Sequence, residues 1–202
     1  MIRFAIACGS LVALVLLLDM GPLGAAGASI TGTVKVTGLA SNADAVVFVV
    51  QAPGTFTPAK PAELDQLKMQ FVPHVLPVVL GTTVRFLNSD PTHHNVFSPT
   101  NEKYNLGTWR QGQTKDYTFS KCAKPPCAYA QLCLVHPEME GFIVVLQNPF
   151  FGVSTKEGRY QIDNVPPGTY SLGVWHAKAK SQPKPVTVEA GKSAVVDFTL
   201  AR

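Results

Sequence analysis

An all-β fold is predicted, on three observations. Gly and Pro number 16 each in 202 residues and are spread along the chain, which suits short strands joined by turns. Short apolar runs and stretches of alternating apolar and polar residues recur from Ile30 to Leu200, bounded by Gly, Pro and Asn. No long segment carries apolar residues at helical spacing, and Ala62 to Met69 is the one short helical candidate. Apolar residues make up 46% of the chain and charged residues 15%, so a real core is available and disorder is excluded. The net charge of +4 suits a neutral or acidic partner. It is too small to argue for nucleic acid, and no basic stripe interleaved with aromatics occurs.

Residues 1–28 read as a signal peptide. Arg3 gives a positive start, Leu11 to Leu18 an apolar run ended by Asp19, and Ala26-Gly27-Ala28 a small-residue cleavage site. The mature chain is expected to start at Ser29, to lose Cys8, and to be periplasmic or secreted. No second stretch is long and apolar enough to span a bilayer.

The mature chain then reads as follows. Ile30 to Val36 alternates, Gly38 to Asn42 makes a turn, and Ala45 to Val50 is an apolar run of buried-strand length. Thr55 to Asp65 reads as a Pro-containing linker. Met69 to Val72 and Val75 to Leu80 are short strands broken by Pro73 and Pro77. Gly81 turns the chain into the alternating strand Thr82 to Asn88. Ser89 to Thr92 is a loop that delivers His93, His94 and Asn95. Asn105 to Gln113 is read as loop because of Gly107 and Gly112. A strand starts at Asp116, a tight turn spans Cys122 to Cys127, and Gly141 to Leu146 is a second buried run. Beyond Pro149, Gly152 to Ile162 reads as a hairpin turning at Glu157-Gly158. Val165 to Trp175, Val186 to Val188 and Val195 to Leu200 are further strands.

Chemistry concentrates in Cys133-Leu134-Val135-His136-Pro137-Glu138-Met139. One thiolate, one thioether and two imidazoles form the ligand set of a blue-copper electron-transfer site. Soft sulfur suits Cu(I) and imidazole also suits Cu(II), so such a site retains copper through both oxidation states. Cys133, His136 and Met139 share a loop at chelating spacing. His94 supplies the second imidazole, with His93 as a solvent-facing neighbour. Asn95 can link the two ligand loops by hydrogen bonds. His74 and His176 are each isolated and receive no metal role. Three cysteines remain after cleavage, in an oxidising compartment. Assigning Cys133 to the metal leaves Cys122 and Cys127 to form a short disulfide. The rival is a three-thiolate zinc site, which lacks paired C-x2-C knuckles. A c-type haem is excluded, since no C-x-x-C-H occurs.

His94-Asn95 followed by Cys133 to Met139 resembles the cupredoxins, and the short ligand loop is most similar to that of amicyanin. The phrases Phe71-Val72-Pro73, Gly81-Thr82-Thr83-Val84, Phe86-Leu87-Asn88-Ser89-Asp90 and His94-Asn95-Val96-Phe97-Ser98 are similar to plastocyanin-like bacterial proteins, including some of methylamine-utilisation type. The resemblance covers about Ala62 to Leu146. It implies a Greek-key cupredoxin β-sandwich with copper at one end and His136 as the electron port. Gly32-Thr33-Val34, Ala43 to Val47, Gly158-Arg159-Tyr160 and Val165 to Tyr170 resemble a carboxypeptidase regulatory-like domain, a small transthyretin-like β-sandwich without catalysis of its own. The expected organisation is therefore a signal peptide (1–28), a first regulatory-like part (29–58), a cupredoxin domain (59–149) and a second regulatory-like part (150–202). The copper unit is inserted into, or packed on, the smaller sandwich. The rival is one extended sandwich.

The function that follows is a soluble carrier of single electrons holding one type 1 copper. Its partners would be transient redox proteins such as a c-type cytochrome or a dehydrogenase. Gly107, Pro137 and Met139 are expected to contribute to the docking surface around His136. The alternative is a copper chaperone or storage module, but 4 Met in the whole chain is few for an open thioether-rich site. A third class is an interaction module built on the flanks, in which no residue cluster names a ligand. Copper enzymes need a further copper site with open positions, for which 5 His are too few.

Overall fold

The computed structural model describes residues 28–58 and 60–202, so the predicted signal peptide lies outside the described residues apart from Ala28. In chain order the strands are β1 (Ala28–Val36), β2 (Val46–Val49), β3 (Ala62–Leu67), β4 (Gln70–Val72), β5 (Val75–Val79) and β6 (Thr83–Leu87). There follow β7 (His94–Ser98), β8 (Tyr104–Trp109), β9 (Thr114–Thr118), β10 (Cys127–Leu132), β11 (Glu140–Leu146) and β12 (Phe151–Val153). The last are β13 (Arg159–Val165), β14 (Gly168–Trp175), β15 (Lys184–Val188), β16 (Ser193–Val195) and β17 (Phe198–Leu200). No α-helix occurs among the described residues, and the fold is all-β.

Four sheets form. The first has order β13-β1-β16, with β17 also on β1; the second is β12-β2-β14-β15; the third β5-β11-β10-β7-β8; the fourth β4-β3-β6-β9. They stack in that sequence, with an apolar layer in each gap. Ile30, Val47, Val49, Ile162 and Leu172 belong to the layer between the first and second sheets. Val46, Phe48, Val75, Val144 and Leu146 fill the gap between the second and third. Leu64, Phe86, Val96, Tyr129, Ile143 and Val145 fill the gap between the third and fourth. Successive side chains of a strand face opposite ways. Along β2 and β11 they therefore enter two different cores, and this is why both segments are unbroken apolar runs rather than alternating ones.

The outermost layer of this stack is built from residues before 58 and from 150 onward, and the layer farthest from it from residues 62–146. The chain leaves the flanking strands and returns to them at adjacent points. Ala52 N donates to Gln147 Oε1 (3.2 Å), Gln147 Nε2 donates to Ala52 O (3.3 Å), and Asn148 Nδ2 donates to Val49 O (2.8 Å).

Several local readings are corrected. Ala62 to Met69 is strand β3 and a turn, not a helix, because Leu64 and Gln66 both face the core at strand period. Asn105 to Gln113 is not all loop, since β8 runs to Trp109 and pairs with β7. Pro77 does not break its strand: β5 is the edge of the third sheet, where the N–H that proline lacks is not needed by a neighbour. Gly152 to Ile162 turns where expected, with Gly158 N donating to Thr155 O, but its arms belong to different sheets, β12 to the second and β13 to the first. Gly158 has φ +89°, and a Cβ there would lie 2.2 Å from Val34 O, so the crossing requires glycine. Val195 to Leu200 is two short strands, β16 and β17, both parallel to β1.

Candidate metal centre

The third sheet assembles the site. β7 and β10 are antiparallel neighbours with Leu132 opposite Phe97. The first residue of β7, His94, therefore lies beside the loop 133–139 that leaves β10 and enters β11. Met139 N donates to His136 O (3.0 Å) and closes that loop.

Cys133 Sγ lies 3.9 Å from His94 Nδ1 and 4.0 Å from His136 Nδ1, and the two Nδ1 atoms are 3.0 Å apart. Among the described residues this is the one group of three such side chains close enough to share an ion. A point equidistant from the three atoms lies about 2.1 Å from each, within the roughly 2.0–2.3 Å span of metal–nitrogen and metal–thiolate bonds. The donor set of two nitrogens and one sulfur thus fits a transition metal. His94 is fully buried, Cys133 nearly so, and His136 is the partly exposed member. Met139 is 1% exposed and packs in the same apolar cluster as Cys133. It therefore cannot serve as docking surface, whereas Gly107 and Pro137 are exposed, as are the apolar side chains of Leu134 (62%) and Val135 (45%) beside His136.

Asn95, 2% exposed, hydrogen-bonds to both loops. Its backbone N donates to Cys133 Sγ (3.4 Å), and its Oδ1 accepts from Leu134 N (3.3 Å). Its Nδ2 donates to Asn105 Oδ1 and Gly107 O, both at 2.8 Å. One amide thus joins β7, β8 and the ligand loop. Asn105 Oδ1 also accepts from Gly107 N (2.9 Å), which shapes the β8 end of the link.

Cys122 and Cys127 form a disulfide, which leaves Cys133 as the free, buried thiol among the described residues and removes the three-thiolate zinc alternative. His93 is exposed and outside the cluster. His74 Nδ1 pairs with Asp44 Oδ2 at 2.8 Å, and that contact raises its pKa. His176 Nδ1 accepts from Lys178 N (3.1 Å), and burial lowers its pKa.

Sequence reasoning missed Asp90. Its Oδ2 lies 2.9 Å from His94 Nε2, and both side chains are buried. Burial opposes the charge of this carboxylate, but the Met69 amide, the His94 ring and the Lys68 amide outweigh it and hold its pKa below the usual aspartate value. Asp-Pro reads as turn chemistry. The available signal was that a ligand histidine usually gives its second N–H to a carboxylate or carbonyl.

A family model of the carboxypeptidase regulatory-like domain matches residues 138–201. No curated protein matches the chain. Among solved structures, a copper-containing nitrite reductase from Thermus scotoductus SA-01 is 26% identical over 48% of this chain and 25% of its own, with a TM-score of 0.39. The chain therefore spans about a quarter of that protein's length. An oxidised amicyanin mutant is 25% identical over 44% of this chain and 85% of its own, with a TM-score of 0.39. A purple cupredoxin from Nitrosopumilus maritimus is 22% identical over 42% and 98%, with a TM-score of 0.37.

Proposed function

We propose that this chain is a type 1 copper protein that carries single electrons between redox partners outside the cytoplasm. The observation that carries the reading is the convergence of His94 Nδ1, Cys133 Sγ and His136 Nδ1 from two separate loops into a triangle of metal-binding size. These three atoms, together with the Met139 thioether, would hold one copper. Bound copper would supply a one-electron couple between Cu(II) and Cu(I).

The protein's part is to keep the donors in place. β7, β10 and β11 fix the backbone on both sides of the cluster, and the Asn95 amide holds the two loops at one separation. Burial of Cys133 and His94 excludes water from most of the site. Partly exposed His136 is the side on which a partner can approach. Leu134, Val135 and Pro137 give that side exposed apolar surface, which suits a small, short-lived encounter with a cytochrome or dehydrogenase. The flanking residues 29–58 and 150–202 are proposed as a discontinuous unit into which the copper unit of residues 59–149 is inserted.

The test is direct. Cu(II) added to the full mature chain should give an intense blue colour from thiolate-to-copper charge transfer, and Cys133→Ser should abolish it. A colourless adduct, or colour that survives the substitution, would sink the reading. Reversible electron exchange of the loaded protein with a c-type cytochrome separates a carrier from a copper chaperone, which would pass on the ion and not the electron.

A further inference from the structure

We propose that Asp90 is a positioning residue for the metal centre. Its carboxylate holds His94 as the Nε2–H tautomer, with Nδ1 bare toward Cys133 and His136, and ties that ring to the turn at Lys68-Met69. In its last consequence, the effect on copper, the proposal rests on the reading above.

An ionised carboxylate can only accept hydrogen bonds. The 2.9 Å contact between Asp90 Oδ2 and His94 Nε2 therefore requires the proton to sit on Nε2. A neutral imidazole has one N–H, so Nδ1 keeps its lone pair. That lone pair faces Cys133 Sγ and His136 Nδ1. Two Nδ1 atoms at 3.0 Å cannot both carry a proton along their shared line, and the contact to Asp90 decides that His94 is the bare one.

The carboxylate is itself held from several sides. Oδ1 accepts from Lys68 N (2.6 Å), Oδ2 also accepts from Met69 N (2.8 Å), and the Asp90 backbone N donates to Asn88 Oδ1 (3.0 Å). Asn88 Nδ2 in turn donates to Trp109 O and Thr92 O. Lys68 and Met69 have φ values of 54° and 57°, a conformation that side-chain-bearing residues seldom adopt. One carboxylate thus serves both a strained turn between β3 and β4 and the buried metal-binding histidine.

The experiment uses the full mature chain, 15N-labelled at histidine. In the metal-free wild type, the long-range 1H–15N pattern of His94 should be that of the Nε2–H tautomer; an Nδ1–H pattern would overturn the proposal. Asp90→Leu, which keeps the bulk and removes both acceptors, should lose the pattern. It should also weaken Cu(I) binding, measured by chelator competition, about 10- to 100-fold. Because this variant also releases the turn, it is repeated with Lys68→Gly and Met69→Gly, glycine taking the positive φ without strain. If Asp90 only supports the turn, the triple variant regains Cu(I) affinity and the tautomer together with its melting temperature, and the proposal fails. Positioning predicts that the melting temperature recovers and the other two do not. The tautomer is read without copper, so a chain showing the Nε2–H pattern but taking up no copper would sink the metal reading and leave the His94–Asp90 assignment standing.

Discussion

Asn95 shows how one side chain joins segments that are remote in sequence. Replacing it with Ala removes the side-chain partner of Leu134 N and of Gly107 O beside a buried site, and one of the two donors to Asn105 Oδ1. Leaving a buried polar group unsatisfied costs about 1–3 kcal/mol, so Asn95→Ala should lower the urea midpoint by a matching amount, with copper lost faster to a chelator. Asn95 and the four ligand candidates were legible because chelating spacing and soft donor chemistry are local properties of the sequence. Asp90 was not, because its partners Lys68, Met69 and His94 come together only when β3, β4 and β7 are folded. Asp44 was overlooked for the same reason: its left-handed φ of 67° and its contact with His74 are products of the packing.

Among the elements, β11 is closely confined where it leaves the loop 133–139. A Cβ on Gly141 would lie 2.8 Å from Phe71 Cβ and 3.2 Å from the His74 carbonyl oxygen, so the strand leaving the ligand loop would have to move. Gly141→Ala should cost about 1–3 kcal/mol in thermal or urea unfolding, in the range of overpacked cores. It should also change the copper spectrum, since Met139 lies two residues away. The disulfide differs: Cys122→Ser with Cys127→Ser should cost about 2 kcal/mol, because the loop it closes is short, and should leave the copper spectrum unchanged. The buried strands were legible because continuous apolar runs have few other uses in an all-β chain. β3 was hidden by good helix formers, Ala62, Glu63, Leu64, Gln66 and Leu67, and by the polar Gln66 in a core position, which disguises the alternation. β8 was hidden by Gly107 and Asn105, which serve the Asn95 link and not a core. The all-β class could be read from the pattern, but the sharing of β2 and β11 between two cores could not, since periodicity does not reveal what covers a strand's second face.

For the molecule as a whole, the layer made by Val46, Phe48, Val75, Val144 and Leu146 joins the third sheet to the second. Residues 60–149 expressed alone would expose Val75, Val144 and Leu146. That fragment should aggregate in size-exclusion chromatography, and Val144→Thr with Leu146→Lys should restore a monomer. Across the same junction, Asp44 hydrogen-bonds His74 and raises its pKa, aided by Glu140 and opposed by burial and by Lys178. The folded chain therefore holds this proton more tightly than the unfolded chain does. The resulting stability is fully present below the ordinary histidine value near pH 6.5 and is lost as pH rises through the higher folded value. The stability difference between wild type and His74→Gln should thus be larger at pH 5.5 than at pH 8.5 in urea titrations.

The paired amides at the crossing of the two units have a kinetic consequence. Gln147 and Ala52 are 95 positions apart in the chain yet bonded to each other in both directions. Once Ala52 and Gln147 have met, the intervening segment behaves as a tethered ring whose ends no longer have to find one another, and the entropy of joining them is already spent. Cutting the Gln147 tether with Gln147→Ala should then slow refolding of the segment between them more than it hastens unfolding, a difference that stopped-flow fluorescence would register.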